Sequence, residues 1–189
     1  MKILIIQGSP NSDSFSHSNA IHYQKQALAQ GHEVQLVDLS KDDFDPILRH
    51  GYRKHMEDET YPNLMQEKIA WADHLVFFFP IWWSGEPAIL KGWLDRVLTP
   101  GFAYKRNGKK IDRLLAGKTA DLFLTSNGKS IFYKMFGSTV TRWKYFILRY
   151  CGMKLNHSFV LGEMDTKKMT PSYLQNYMEK CSSTIPTIK

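Results

Sequence analysis

The chain has 189 residues, 43% of them hydrophobic and 23% charged, with a formal net charge of +7. This length suits one α/β domain with a full core, here 1–189, and crowds two, and the composition is that of an ordinary soluble globular protein. No run approaches the roughly 20 apolar residues of a membrane span, and Lys2 is followed only by Ile3–Ile6 before Gln7, too little for a signal-peptide core, so a cytoplasmic protein is expected.

Lys2 to Gln7 predicts a first strand, short and rich in Ile and Leu. It runs into Gly8–Asn19, a loop crowded with hydroxyls, and then a helix over Ala20–Gln30 that stops at Gly31. Strand, hydroxyl-rich turn and helix N-terminus together make an anion site, because backbone N–H groups and the positive end of the helix dipole converge there. Neither G-x-x-x-x-G-K-[ST] nor G-x-G-x-x-G occurs. Serines also fill plain N-cap loops, so the stretch alone leaves both readings open.

Glu33 to Leu39 predicts a second strand. Ser40 to Asn63 is polar, with Pro46 and Pro62, and has no clear element; Leu64 to Asp73 reads as a helix. The stretch Leu75–Leu98, LVFFFPIWWSGEPAILKGWLDRVL, opens as an unbroken apolar run that suits a strand buried on both faces. It breaks at Pro80, carries Trp82, Trp83, Ser84 and Gly85 in a loop, and resumes as an amphipathic helix from Pro87. The two indoles either cap the core or line a flat conjugated ligand, and periodicity does not separate the two.

The densest basic segment, Lys105–Lys118, contains Asn107-Gly108 and reads as an exposed β-ribbon or loop, not a nucleic-acid surface with interleaved stacking aromatics. Its positive charge would concentrate a polyanionic ligand. Thr119–Thr125 predicts a fourth strand, followed by the small polar turn Ser126-Asn127-Gly128. Ile131–Tyr150 is apolar and aromatic, a loop and then a helix ending at Gly152. A fifth strand over Leu155–Leu161 and a helix over Ser172–Lys180 complete the pattern. Cys151 and Cys181 form no C-x-x-C pair and read as free thiols, and His17/His22 and His50/His55 sit five apart, so no metal site is expected.

Strands alternating with helices predict a three-layer doubly wound α/β sandwich with a five-stranded parallel sheet in flavodoxin-like order 2-1-3-4-5. That order brings the loops after strands one, three and four together at the carboxyl edge. A phosphate grip, an aromatic wall and small polar groups near a flat ring are what a flavin needs.

The run FPIWWSGEPAILKGWLDRVL, followed by Gly101–Tyr104 (GFAY), resembles the central signature of the flavodoxin-like NAD(P)H:quinone oxidoreductases, above all their short bacterial members. Some of those are quinone reductases and some are ancillary subunits of potassium-efflux systems, so a membrane transporter is a partner the resemblance admits. It implies a flavin, FMN or alternatively FAD, NAD(P)H as electron donor, a quinone or similar acceptor, and a homodimer with the flavin at its interface. It implies flavin contacts at Ser9, Ser16, His17, Ser18 and Asn19 in the first loop; at Pro80, Ile81, Trp82, Trp83 and Ser84; and at Thr125, Ser126, Asn127 and Gly128. Tyr133 falls near a tyrosine that approaches substrate in some members, while the histidine some of them place after it is replaced here, with Thr139 near that position. The expected activity is ping-pong hydride transfer from NAD(P)H through the flavin to a quinone. The rival readings are a regulatory subunit of a transporter and an electron-carrier flavodoxin, and the +7 charge argues against the carrier, since such carriers tend to be acidic.

Overall fold

A computed structural model describes residues 1–135 and 138–187. Five strands form a parallel sheet: β1 (Lys2–Gln7), β2 (Glu33–Asp38), β3 (His74–Pro80), β6 (Thr119–Thr125) and β7 (Lys154–Leu161), in the order β2-β1-β3-β6-β7. The expected order 2-1-3-4-5 is corrected to 2-1-3-6-7. The basic segment supplies two strands of its own, β4 (Tyr104–Asn107) and β5 (Lys110–Arg113), paired antiparallel around the Asn107-Gly108 turn and apart from the main sheet.

Alternation along the strands explains the two sides of the sheet. Leu4, Ile6, Leu75, Phe77, Phe79, Leu122 and Leu124 belong to one apolar cluster, with Met65 and Ile69 of α2 (Thr60–Trp71) and Leu90, Trp93 and Val97 of α3 (Ala88–Val97). Ile3, Ile5, Val76, Phe78 and Phe123 belong to the other, with Ala20, Tyr23 and Ala27 of α1 (Phe15–Ala29) and Tyr177 and Cys181 of α7 (Pro171–Ser182). The central strand has apolar side chains on both faces, which is why its sequence reads as a continuous run. Each of its buried phenylalanines contributes about 2–3 kcal/mol of transfer free energy.

The segment after β2 that carried no sequence signal is held by α3. Arg96, 3% exposed, donates at 2.6 Å to the carbonyls of Asp45 and Asp58. A side chain at Gly92 would meet Pro46 at 2.4 Å, so glycine is required for this close approach. Lys118 Nζ donates to the carbonyls of Ala70 and Ala72 and closes the C-terminus of α2.

Other boundaries move. The first helix begins at Phe15, not Ala20, and α2 at Thr60, not Leu64. Ile131–Tyr150 contains α4 (Ser130–Met135), α5 (Ser138–Arg142), a π-helical stretch (Trp143–Leu148) and the first residues of α6 (Arg149–Cys151), with Gly152 ending the last at φ 100°. Phe136, part of that aromatic run, lies outside the described residues.

Candidate functional site

The loops after β1, β3 and β6 border one cleft of about 630 Å³ at the carboxyl edge of the sheet. Its walls are Ser9, Asn11, Ser14, Phe15 and Ser16 from the first; Pro80, Ile81, Trp82 and Trp83 from the second; and Thr125–Gly128 with Tyr133 and Met164 from the third side. In a doubly wound sheet this is where the strand order reverses and the strand-end loops part.

The first wall is built by capping. Ser14 Oγ accepts the His17 N–H at 3.2 Å and is the N-cap of α1, so the serines beyond it are helical and not loop. Helical spacing sends them to different places. Ser16 is buried and reaches Thr125 Oγ1 at 3.4 Å, tying the first wall to the third. His17 turns away from the cleft, its Nε2 3.1 Å from Asp38 Oδ2. Ser18 is exposed outside the cleft, and Asn19 packs inward, Nδ2 to Cys181 Sγ at 3.5 Å. The side chains of His17, Ser18 and Asn19 therefore do not line the cleft. What α1 offers there is its first-turn amides, which helix geometry leaves without an intrahelical acceptor, together with the hydroxyls of Ser9, Ser14 and Ser16.

Gln7 secures the base of this wall. Its Oε1 accepts the Ser9 N–H, and its Nε2 donates to Asp38 at 3.2 Å. Burial pushes the Asp38 carboxyl up, but the Ser40 hydroxyl and amide, Lys41 and His17 outweigh it and hold Asp38 below the usual carboxylate range. It thus stays ionised and keeps β1, β2 and α1 in register.

The second wall is a tight reversal. Trp82 and Gly85 exchange backbone hydrogen bonds at 2.9 Å, and between them Trp83 and Ser84 both have positive φ, 49° and 59°. This is the pattern of a type I′ turn, which asparagine and glycine normally occupy. Two non-glycine residues there cost about 1–3 kcal/mol each, strain typical of ligand sites. Trp82 is 49% exposed and Trp83 103%, which excludes a core-capping role for both. Ser84 does not line the cleft, and its backbone carbonyl accepts from Thr139 Oγ1 at 2.8 Å.

The third wall carries a chain of donors. Gly128 N–H donates to Ser126 Oγ at 3.0 Å, and Ser126 Oγ donates to Tyr133 Oη at 2.7 Å, which leaves the phenolic hydrogen for the cleft. Asn127 donates to Asp165, and Glu163 N–H donates to the Gly128 carbonyl at 3.1 Å, fastening the turn to the loop after β7. Thr139 does not stand in for a histidine beside Tyr133, because it is fully buried and engaged with Ser84.

Asn11, Ser14, Phe15 and Met164 also line the cleft and were not singled out from the sequence. Ser14 had a readable signal, a hydroxyl just ahead of a helix, whereas Met164 follows β7 in a loop with no motif. Among the described residues no cluster of three or more His, Cys, Asp or Glu suits a metal ion, and no helix is long and apolar enough to cross a membrane. The set as a whole offers amides and hydroxyls at one end, indole and apolar surface in the middle, and hydroxyl and amide donors at the other. That donor set fits a ligand with an anionic tail and a flat, polar-edged ring.

Comparison with known proteins agrees with this arrangement. A family model described as a flavodoxin-like fold matches residues 1–185. An uncharacterized NAD(P)H oxidoreductase of Haemophilus influenzae is 39% identical over 142 residues, covering 72% of this chain and 70% of that one. The ribosyldihydronicotinamide dehydrogenase [quinone] of Mus musculus is 30% identical over 210 aligned positions, covering 92% and 89%. Among solved structures, Smu.1420 of Streptococcus mutans superposes with a TM-score of 0.80 at 32% identity over 100% of both chains. The NAD(P)H:quinone oxidoreductase of Methanothermobacter marburgensis gives 0.75 at 25% identity, covering 97% and 94%. The chain belongs to the flavodoxin-like NAD(P)H:quinone oxidoreductase family.

Proposed function

We propose that the protein is a flavin-dependent oxidoreductase that takes reducing equivalents from NAD(P)H and passes them to a quinone or similar acceptor. The observation that carries this reading is the meeting of three strand-end loops around one cleft, with hydroxyls and helix amides at one end and an exposed indole pair beside it. Ser9, Ser14, Ser16 and the first turn of α1 would hold the flavin phosphate and ribityl chain. Pro80, Ile81 and Trp82 would lie along the ring, with Trp83 at its margin. Thr125, Ser126, Asn127 and Gly128 would face the ring's polar edge. Bound there, the flavin supplies a two-electron carrier between pyridine nucleotide and quinone. The protein's own work is to orient the ring, to leave one face open for nicotinamide and acceptor in turn, and to place donors where negative charge collects. Tyr133 lines the cleft and accepts from Ser126, so its own hydroxyl hydrogen is free to be donated, which suits it to position an acceptor carbonyl.

FMN is the flavin favoured here over FAD, and residues 1–189 act as one flavin-binding domain. A homodimer is supported by exposed Ile131, Phe132, Tyr145 and Phe146 on the segments that follow the third wall; sedimentation as a monomer at micromolar concentration would count against it. The activity is tested anaerobically. NADH or NADPH should bleach the bound flavin rapidly and a quinone should restore its colour, and a flavin that neither nucleotide reduces would refute the enzymatic reading in favour of an electron carrier.

A further inference from the structure

Two consecutive non-glycine residues at positive φ persist only where surrounding structure over-determines them. For Trp83 and Ser84 the Trp82–Gly85 backbone pair closes the turn, and the hold from outside it comes from one segment. Thr139, fully buried, donates to the Ser84 carbonyl at 2.8 Å, at the strained tip of the turn. Just past the turn, the Glu86 side chain, 2% exposed, is gripped by the Arg142 guanidinium and accepts from Trp143 Nε1 at 3.0 Å. Thr139 and Arg142 lie on α5, which runs on into the π-helical stretch beginning with Trp143. Trp143 is itself fully buried, its ring 4.8 Å from that of Phe77 and 4.9 Å from that of Phe79. The aromatic turn is therefore braced, through α5, against the strand from which it emerges. Thr139 lines no part of the cleft, so its effect on a ligand runs through Ser84.

We propose that Thr139 is a positioning residue whose hydrogen bond to Ser84 pre-sets the Trp82–Trp83 wall and so sets the affinity of the cleft for its flat ligand, with Glu86, Arg142 and Trp143 as a second brace. The proposal rests on the flavin reading of the cleft. Preorganisation raises affinity by removing the ordering cost from the binding step. Thr139→Val deletes the donor and keeps the branched shape, whereas Thr139→Ser keeps the donor. One lost buried hydrogen bond predicts a rise in the FMN dissociation constant of about five- to tenfold.

The experiment titrates FMN into flavin-stripped wild type, T139V and T139S, and compares the indole N–H signals of Trp82 and Trp83 by NMR in the ligand-free proteins. Weaker binding by T139V, near wild-type binding by T139S, and displaced Trp83 signals in T139V alone support the proposal. Unchanged affinity or unchanged Trp83 signals in T139V overturn it while leaving the flavin reading intact. If the wild type binds no flavin, that reading falls, and the indole comparison still decides whether Thr139 sets the turn. Should T139V not fold, Thr139→Ala removes the same donor with a smaller side chain, and unchanged Trp83 signals in T139A overturn the proposal.

Discussion

Replacing Gly162 with alanine should damage the cleft from outside its lining. A Cβ at residue 162 would lie 2.5 Å from both the Gly128 carbonyl oxygen and the Ser130 amide nitrogen, and 3.2 Å from the Lys129 carbonyl carbon. All three are backbone atoms, so no rotamer change relieves the clash. The turn that carries Ser126, Asn127 and Gly128 must move instead, stretching the Glu163-to-Gly128 and Met164-to-Ser126 bonds, now 3.1 and 3.2 Å. Overpacking of this kind costs about 1–3 kcal/mol. At an m-value of about 2 kcal/mol per molar urea, a 2 kcal/mol loss lowers the unfolding midpoint by about 1 M. The same movement misplaces the donors of the third wall, so flavin affinity should fall along with stability. Gly85→Ala is the steric control, since its Cβ would find only the Trp82 carbonyl at an ordinary 3.7 Å. A Gly162→Ala protein with the wild-type midpoint and wild-type flavin binding would refute the reasoning.

Trp82→Ala should weaken flavin retention through gel filtration, and unchanged flavin content would remove Trp82 from the ring wall. Asp121 is fully buried and accepts from His157 N at 2.9 Å and Thr184 Oγ1 at 3.1 Å, with His74 Nε2 at 3.5 Å. Asp121→Ala strands these groups and should cost about 3–5 kcal/mol in urea unfolding while leaving the distant cleft's ligand preference alone; a loss under 1 kcal/mol would show the network is dispensable. Burial pushes the Cys151 thiol up to about 11 and the Cys181 thiol up to about 12. Folded-state values above the unfolded ones mean this contribution is complete below the unfolded thiol value, near pH 9, and is lost as pH rises through 11 and 12. Unfolding free energy should therefore decline from about pH 9 upward, and both thiols should resist alkylation at pH 8 until the protein unfolds. Prompt labelling of the native protein would contradict their burial.

What could be read from the chain tracks what local physics determines. Phe77–Phe79 and Leu122–Leu124 announced buried parallel strands, because strands covered on both sides have no polar positions to spare. The cleft was legible as three strand-end loops for the same reason, since the winding of the sheet brings them together. The start of α1 was not. Ser16, His17, Ser18 and Asn19 are poor helix formers, and their helical state depends on the Ser14 cap and on packing against the sheet and α7. That boundary matters, because helical phase is what turns His17 toward Asp38 and Asn19 toward Cys181. Nor could the course of residues 40–59 be read, since it depends on a buried arginine and a glycine contributed by α3. The positive φ of Trp83 and Ser84 runs against their local preference, and part of what holds it is contact with a segment remote in sequence, Ser84 with Thr139 being 55 residues apart.

The aromatic turn between β3 and α3 makes sense as a ligand wall only if a flat ring lies against it. The direct measurement is the absorption spectrum of the purified protein, with mass analysis of whatever denaturation releases. A yellow protein with flavin bands that releases FMN is the predicted result, and FAD in its place would move only the choice of flavin. A colourless protein that neither FMN nor FAD can reconstitute would contradict the account.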